Sequence, residues 1–495
     1  MTAAAATGLE RRAFSLGTAN AIDYALQFAL PIVLTRALDP EDFGRYRLLW
    51  LAMATLMVLP LFMPQSLYYF LPRSDRPTQR LYINQTLVFL VLMGLVAAWA
   101  VSQWNPLLPS SLAQLAAGEA PVVPLFVMLW LVASLLDVLP TVDERVGWQA
   151  RAIVGLSTVR TLSLGGVALA THDFGAVLWT LLAFTVFKLA LLAHYISVHH
   201  GLGRPLVRRE TFVGQVRHAA PFGFSGTLYG LRAQADQWVA AALFPVTLFA
   251  AFSIATVLGP MVNLFRQSVN HVFLPSMSRL HSAGDFKAML ALNSRANAVV
   301  ALMVYPLLAF AFVFAEPLIT LVYTGAYVEA VPVLRLYVVG LVVFVIELNS
   351  ILLLLKQGAF AVRVNGVALA LSVPLSVWGA LNWGLFGAAL GSVAMIQVER
   401  IASLRRIARV TGEPVGRLQD WPKLAAVLAA SIAAGALAGL ATRGWALGPF
   451  ATLALGGTCM AFAYLAALCL VGQRPLITGL IQSLAAPRAA PSANP

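Results

Sequence analysis

Residues 121–141 read PVVPLFVMLWLVASLLDVLPT, and Asp137 is their only ionisable side chain. A run of about 20 apolar residues, coiled as a helix, matches the thickness of a bilayer's hydrocarbon core. The chain repeats this pattern from end to end. Windows of similar character fall at 13–36, 46–70, 81–103, 152–171, 175–198, 218–243, 247–268, 296–322, 332–355, 361–382, 384–404, 423–441 and 447–471, giving about fourteen in all. A hydrophobic content of 60%, with 11% charged residues and a mean hydropathy of +0.81, would leave a soluble protein with a greasy surface. The expected fold is an all-α polytopic membrane protein.

Basic residues fall on alternate sides of these windows. One side collects Arg11 and Arg12, then Arg73, Arg76 and Arg80, then Arg145 and Arg151, then Arg204, Arg208, Arg209 and Arg217. Arg266, Arg279, Lys287 and Arg295 follow, then Lys356 and Arg363, then a cluster from Arg400 to Lys423. The other side holds Arg36, Arg45, Arg47, Arg335 and Arg443. The positive-inside rule makes the richer side cytoplasmic, which puts both termini inside. The net charge of +13 then answers anionic lipid headgroups, and no nucleic-acid partner is expected. Arg11-Arg12 resembles a twin-arginine export signal, but Asp23 interrupts the apolar stretch behind it and further spans follow, so a first membrane helix is the better reading.

The longest cytoplasmic connections are expected at 199–217 and 405–422, dividing the chain into an N-lobe of six helices (1–204), a C-lobe of six (205–412), and a terminal pair with a short cytoplasmic tail (413–495). A faint internal repeat, Ala37-Leu38-Asp39-Pro40 against Ala242-Leu243-Phe244-Pro245, supports two similar halves. Asn382-Trp383-Gly384 reads as a tight turn. Prolines at positions 31, 60, 64, 260, 306 and 374 free backbone carbonyls inside spans and favour bending.

Ionisable groups at membrane depth are costly and therefore mark function unless they pair structurally. They are Asp23, Asp137, Arg160 and Lys188 in the first half, and Arg232, Asp236 and Glu347 in the second. One polar chamber would collect them. The structural alternatives are an Arg232–Asp236 pair one turn apart, Lys188 reaching the headgroups, an interfacial Asp137, and a salt bridge between spans for Asp23 and Arg160. Arg36, Arg45 and Arg47 lie among Asp39, Glu41 and Asp42, where local neutralisation is expected. Cys459 and Cys469 suit neither a disulfide nor a metal site, and with no phosphate loop, metal spacing or nucleophile motif the chain is read as a non-enzyme without cofactor or metal. The contrary hint is the carboxylate group Asp39-Pro40-Glu41-Asp42, placed where membrane glycosyltransferases keep a catalytic acid.

The stretch LTRALDPEDFGRY at 34–46 resembles the first-loop motif of bacterial polysaccharide and oligosaccharide-lipid flippases, within the multidrug/oligosaccharidyl-lipid/polysaccharide exporter superfamily. MPQSLYYFLPR at 63–73, FLPSMSR at 273–279 followed by Gly284-Asp285, and LVYTGAY at 321–327 resemble that family's later segments, in the family's order. The resemblance implies two six-helix lobes and alternating access that carries an undecaprenyl-pyrophosphate-linked oligosaccharide outward for surface polysaccharide such as O-antigen, lipopolysaccharide or exopolysaccharide. Its implied partners are that lipid-linked oligosaccharide, membrane lipids, a polysaccharide polymerase and chain-length machinery. Charge and depth make Arg160, Lys188, Arg232 and Arg36 the substrate-binding candidates, and Asp23, Asp137, Asp236 and Glu347 the coupling or gating candidates. The alternatives are a drug or small-molecule cation antiporter of the same superfamily, a cell-wall precursor flippase, and a membrane glycosyltransferase.

Overall fold

The computed structural model describes residues 3–60, 62–106, 108, 112–113, 115, 118–119, 121–201, 203–445 and 447–470. The side chains of Arg11 and Arg12 and the expected C-terminal tail lie outside the described residues. No strand occurs among the described residues, and nine helical stretches are long and apolar enough to cross a membrane. Each sequence window is occupied by helix, several in two pieces.

The chain order is α1 (Ala3–Ala37), α2 (Pro40–Leu56), α3 (Met63–Phe70), α4 (Arg76–Ala100), α5 (Val122–Ala133), α6 (Val146–Thr171), α7 (Phe174–His199), α8 (Arg209–Leu243) and α9 (Val246–Ala255). It continues with α10 (Leu258–Ser282), α11 (Phe286–Val313), α12 (Ala315–Tyr323), α13 (Ala330–Phe344), α14 (Asn349–Leu354), α15 (Gly358–Ala388), α16 (Leu390–Thr411), α17 (Trp421–Thr442) and α18 (Pro449–Leu470). The connections expected at 199–217 and 405–422 are shorter than the sequence suggests, because α8 starts at Arg209 and α16 continues to Thr411. Both extensions are polar helix, which a hydropathy window does not register.

Helix starts follow local chemistry. Asp39 caps α2 by accepting from the Asp42 backbone N–H at 2.8 Å, with Pro40 at the first helical position and Glu41 and Asp42 in the positive first turn. Asp173, Asp285 and Asp420 cap α7, α11 and α17 in the same way. Asp39, one of the carboxylates behind the glycosyltransferase hint, thus serves as a helix cap. The two arms of the internal repeat also match in form: α1 ends at Ala37 before Pro40 opens α2, and α8 ends at Leu243 before α9.

The chain packs as two units, residues 1–254 with 322–329 and 365–392, and residues 255–321 with 330–364 and 393–495. In the first unit α1 runs along α6, α4 along α5, and α7 against α5 and α6. Leu67, Leu90, Leu135, Leu139 and Leu192 meet in its buried core. α8 belongs to this unit by contact because a buried amide network fastens its start to α3 and α4. Gln215 donates to Ser66 Oγ at 2.9 Å and Thr86 Oγ1 at 3.0 Å, while its own carbonyl accepts from Gln85 at 3.2 Å. Where hydrocarbon offers no water, such amides hold only when satisfied.

The tight turn at 382–384 is present. Gly384 adopts φ +61° and ψ −144°, a conformation that favours glycine, and the two legs come into backbone contact. A Cβ on Gly387 would strike the Gly379 carbonyl, and one on Gly391 the Ser372 carbonyl. In the second unit α10 packs on α11, α11 on α17, and α17 on α18. Tyr464 of α18 donates to the Leu302 carbonyl at 3.0 Å. Leu162, Trp179, Leu381 and Phe462 are exposed, as expected of side chains that meet lipid rather than water.

Candidate functional site

Four of the membrane-depth charges converge on one cavity in the first unit. α1 contributes Asp23 and, one turn later, Gln27; α6 contributes Arg160; α7 contributes Lys188; and Asp137 comes from the 3-10 turn that ends the α5 segment. The cavity has a volume of about 190 Å³. That is below the roughly 300–1,000 Å³ of a drug-sized pocket, so it has room for a charged group and its waters.

The ionic contacts inside it differ in tightness. Lys188 is buried and places Nζ 2.8 Å from Asp137 Oδ2, with the Trp130 ring centroid at 5.0 Å. It therefore does not reach the headgroups. Asp137 keeps more than half of its side chain accessible, as a carboxylate does on a cavity wall. Arg160 approaches Asp23 at only 3.6 Å, and Asp23 takes its short hydrogen bond, 2.7 Å, from Gln27 instead. The Arg160 Nε is buried without a hydrogen-bond partner. A guanidinium held by one loose ion pair and with a donor still unmade can turn to donate to an anion's oxygen without first breaking a strong bond.

The other candidates lie elsewhere. Arg232 and Asp236 are buried one turn apart on α8, where Asp236 Oδ1 accepts from the Gln237 N–H at 2.8 Å and the Arg232 guanidinium lies 5.7 Å from the Tyr229 ring centroid. Neither lines the cavity. Both belong to the first unit, so Arg160 and Arg232 do not come one from each unit. Arg36 donates to the backbone carbonyls of Ile32 at 2.9 Å and Val322 at 2.6 Å. That bond, with Tyr327 edge-on to Phe43 at 5.7 Å, joins the first-loop motif to the LVYTGAY segment. Local neutralisation applies to Arg45, which binds Glu41 at 2.6 Å and Asp42 at 3.1 Å, whereas Arg47 turns to Ser253. Burial, and then the neighbouring Asp39 carboxylate, push the Asp42 carboxyl above the usual range.

Glu347 is separate from the four and belongs to the second unit. It sits where α13 gives way to α14 and forms an ion pair with Arg266. Asn297 Oδ1 accepts from the Glu347 N–H at 2.9 Å, and Asn293 donates to its carbonyl at 3.1 Å, so side chains satisfy the backbone that the helix break frees. By sequence Arg266 and Arg400 count with the cytoplasmic loops. Both are buried, and they lie 4.1 and 5.0 Å from the Phe344 ring centroid. A charge at the edge of an apolar window reads as the start of a loop, and only a neighbouring carboxylate or ring shows that it is buried.

An all-helical bundle with lipid-facing apolar walls and a small cavity holding charges of both signs defines a multi-pass membrane protein of transporter type. The family model described as "Polysaccharide biosynthesis protein" matches residues 33–332, more than half of the 495, and the chain belongs to that family. No curated protein sequence matches at a significant level. Among solved structures, the lipid II flippase MurJ in an inward closed conformation superposes with a TM-score of 0.69 at 12% identity, covering 93% of this chain and 99% of that one. An inward-facing multidrug resistance MATE transporter of the MOP superfamily gives 0.59 at 13% identity, covering 79% and 96%. A MOP superfamily transporter from Pyrococcus furiosus, described as having a binding pocket of reverse polarity, gives 0.53 at 14%, covering 81% and 95%. At these identities the likeness is one of fold, and the fold is that of the MOP superfamily's transporters.

Proposed function

We propose that this protein is a flippase that carries a lipid-linked oligosaccharide, on an undecaprenyl-pyrophosphate carrier, across the bacterial inner membrane for surface polysaccharide synthesis. The observation that carries the reading is the Arg160–Lys188 cavity, taken with membership of a polysaccharide biosynthesis family. A diphosphate crossing hydrocarbon needs compensating charge that lipid cannot supply. In this reading Arg160 turns its guanidinium to donate to a phosphate oxygen and gives up its loose contact with Asp23. The glycan lies outside a cavity of this size, and the lipid tail stays in the bilayer. Two six-helix halves related by the repeat, with residues 413–495 added, provide the alternating access.

Losing Arg160 leaves the Asp23 carboxylate without its cation, so it must gain a proton or water. That makes Asp23 the coupling residue. Asp23→Asn is expected to insert normally and to slow glycan export severalfold; export at the wild-type rate would reduce Asp23 to a structural partner. A cation antiporter is the second reading, favoured by the presence of Asp23 and Asp137 in the same cavity. It predicts cation-driven drug efflux in place of glycan export.

The orientation is tested by labelling. With Cys459 and Cys469 replaced by alanine, Gly444→Cys should react with an impermeant maleimide in intact cells, and Gly416→Cys only after permeabilisation. Labelling of both from one side overturns the topology.

A further inference from the structure

We propose that the first unit carries a second, separate anion site, for a phosphate group, at the end marked by its basic loops. Here α3 ends, α4 and α6 begin and α7 ends, around a cavity of about 420 Å³ that is more than twice the size of the Arg160 cavity. Arg76, Arg80, Arg145, His199 and His200 line it, with Asp143 and Glu144. Asp143 is already engaged: the Tyr195 hydroxyl donates to it at 2.6 Å and His200 Nε2 lies 2.7 Å from the same oxygen. That leaves three guanidinium groups against Glu144. Asp143 and His200 are mostly buried, so they form a fixed floor, whereas the three arginines are exposed and able to close on a ligand.

Two further features favour an anion. α4 starts at Arg76 and α6 follows Arg145 at the cavity wall, and neither start is capped by a side chain, so the positive ends of both helix dipoles lie beside the cavity. The loop behind the cavity is also held in place. Asn84 donates to the carbonyls of Gly203 at 2.9 Å and Pro205 at 3.2 Å, and the Arg80 guanidinium lies close enough to Gly201 that a Cβ there would come within 3.2 Å of it. Gly201, at φ +72°, admits that approach. Planar forks converging on one polar space suit the oxygens of a phosphate mono- or diester. The chemistry fits either a phospholipid headgroup at the membrane surface or a free phosphate compound.

The test is arginine footprinting of the whole chain with phenylglyoxal, read by mass spectrometry, in phosphatidylcholine nanodiscs with and without inorganic pyrophosphate. Pyrophosphate should protect Arg76, Arg80 and Arg145 at least fivefold and leave Arg405 and Arg417 unchanged. Protection in phosphatidylglycerol nanodiscs without pyrophosphate assigns the site to a lipid headgroup, and protection by pyrophosphate alone assigns it to a free ligand. The Arg80→Ala/Arg145→Ala variant should bind pyrophosphate at this site at least tenfold more weakly, and the Arg80→Lys/Arg145→Lys variant should keep the charge if the alanine pair does not fold. Arg160→Ala should leave the protection intact, so failure of the transport reading would not be mistaken for failure here. No selective protection by either probe overturns the proposal.

Discussion

Cells carrying Arg160→Ala should export surface glycan at about one tenth to one hundredth of the wild-type rate when protein levels are matched. The figure follows from one charge-assisted hydrogen bond, roughly 1.5–3 kcal/mol, and from the tenfold that each 1.4 kcal/mol represents. Arg160 is the residue to change because its bond to Asp23 is loose at 3.6 Å and its Nε has no partner. Lys188, in contrast, is already committed to Asp137 at 2.8 Å. Arg160→Lys retains charge and loses the fork, so it should fall between alanine and wild type. Binding of the lipid-linked donor by purified protein should follow the same order. Normal export by the alanine variant would move the phosphate contact out of this cavity.

Glu347→Ala should cost about 3–5 kcal/mol of stability, because it leaves Arg266 charged and buried with its partner gone. Both side chains are less than one tenth exposed, so water cannot take over that role. Arg266→Ala should cost a similar amount. The double variant Arg266→Met/Glu347→Leu should recover much of the loss, since well-packed apolar groups often replace a buried pair at little cost. The measurement is the unfolding midpoint of detergent-solubilised protein for both single variants and the double. Equal losses in all three would show that the Asn293, Asn297 and Gln419 amides, and not the ion pair, hold the break between α13 and α14.

The two arginine groups also show how far sequence reading reaches. Asp23, Asp137, Arg160 and Lys188 stand out because an ionisable residue in an apolar run is conspicuous whatever surrounds it. Arg266 and Arg400 read as loop charges for the converse reason: each falls at the edge of a run, where a charge ordinarily marks a loop. Gln85 and Gln215, which fasten α8, gave no signal at all, because an amide near the start of a helix is common and only its partner makes it a clamp.

The membrane class and the approximate positions of the apolar helices were legible in the sequence, and the caps of α2, α7, α11 and α17 are likewise matters of local chemistry. Hydropathy, helical period and capping act within a few turns of chain, so neighbours in sequence are enough to fix them. The partner of each buried charge was decided by tertiary structure. Lys188 meets an acid 51 residues away, and Arg36 a carbonyl 286 residues away. Such pairings depend on which helix faces lie together, and in a bilayer those faces are set by close packing and by polar groups that must find partners, neither of which has a period along the chain.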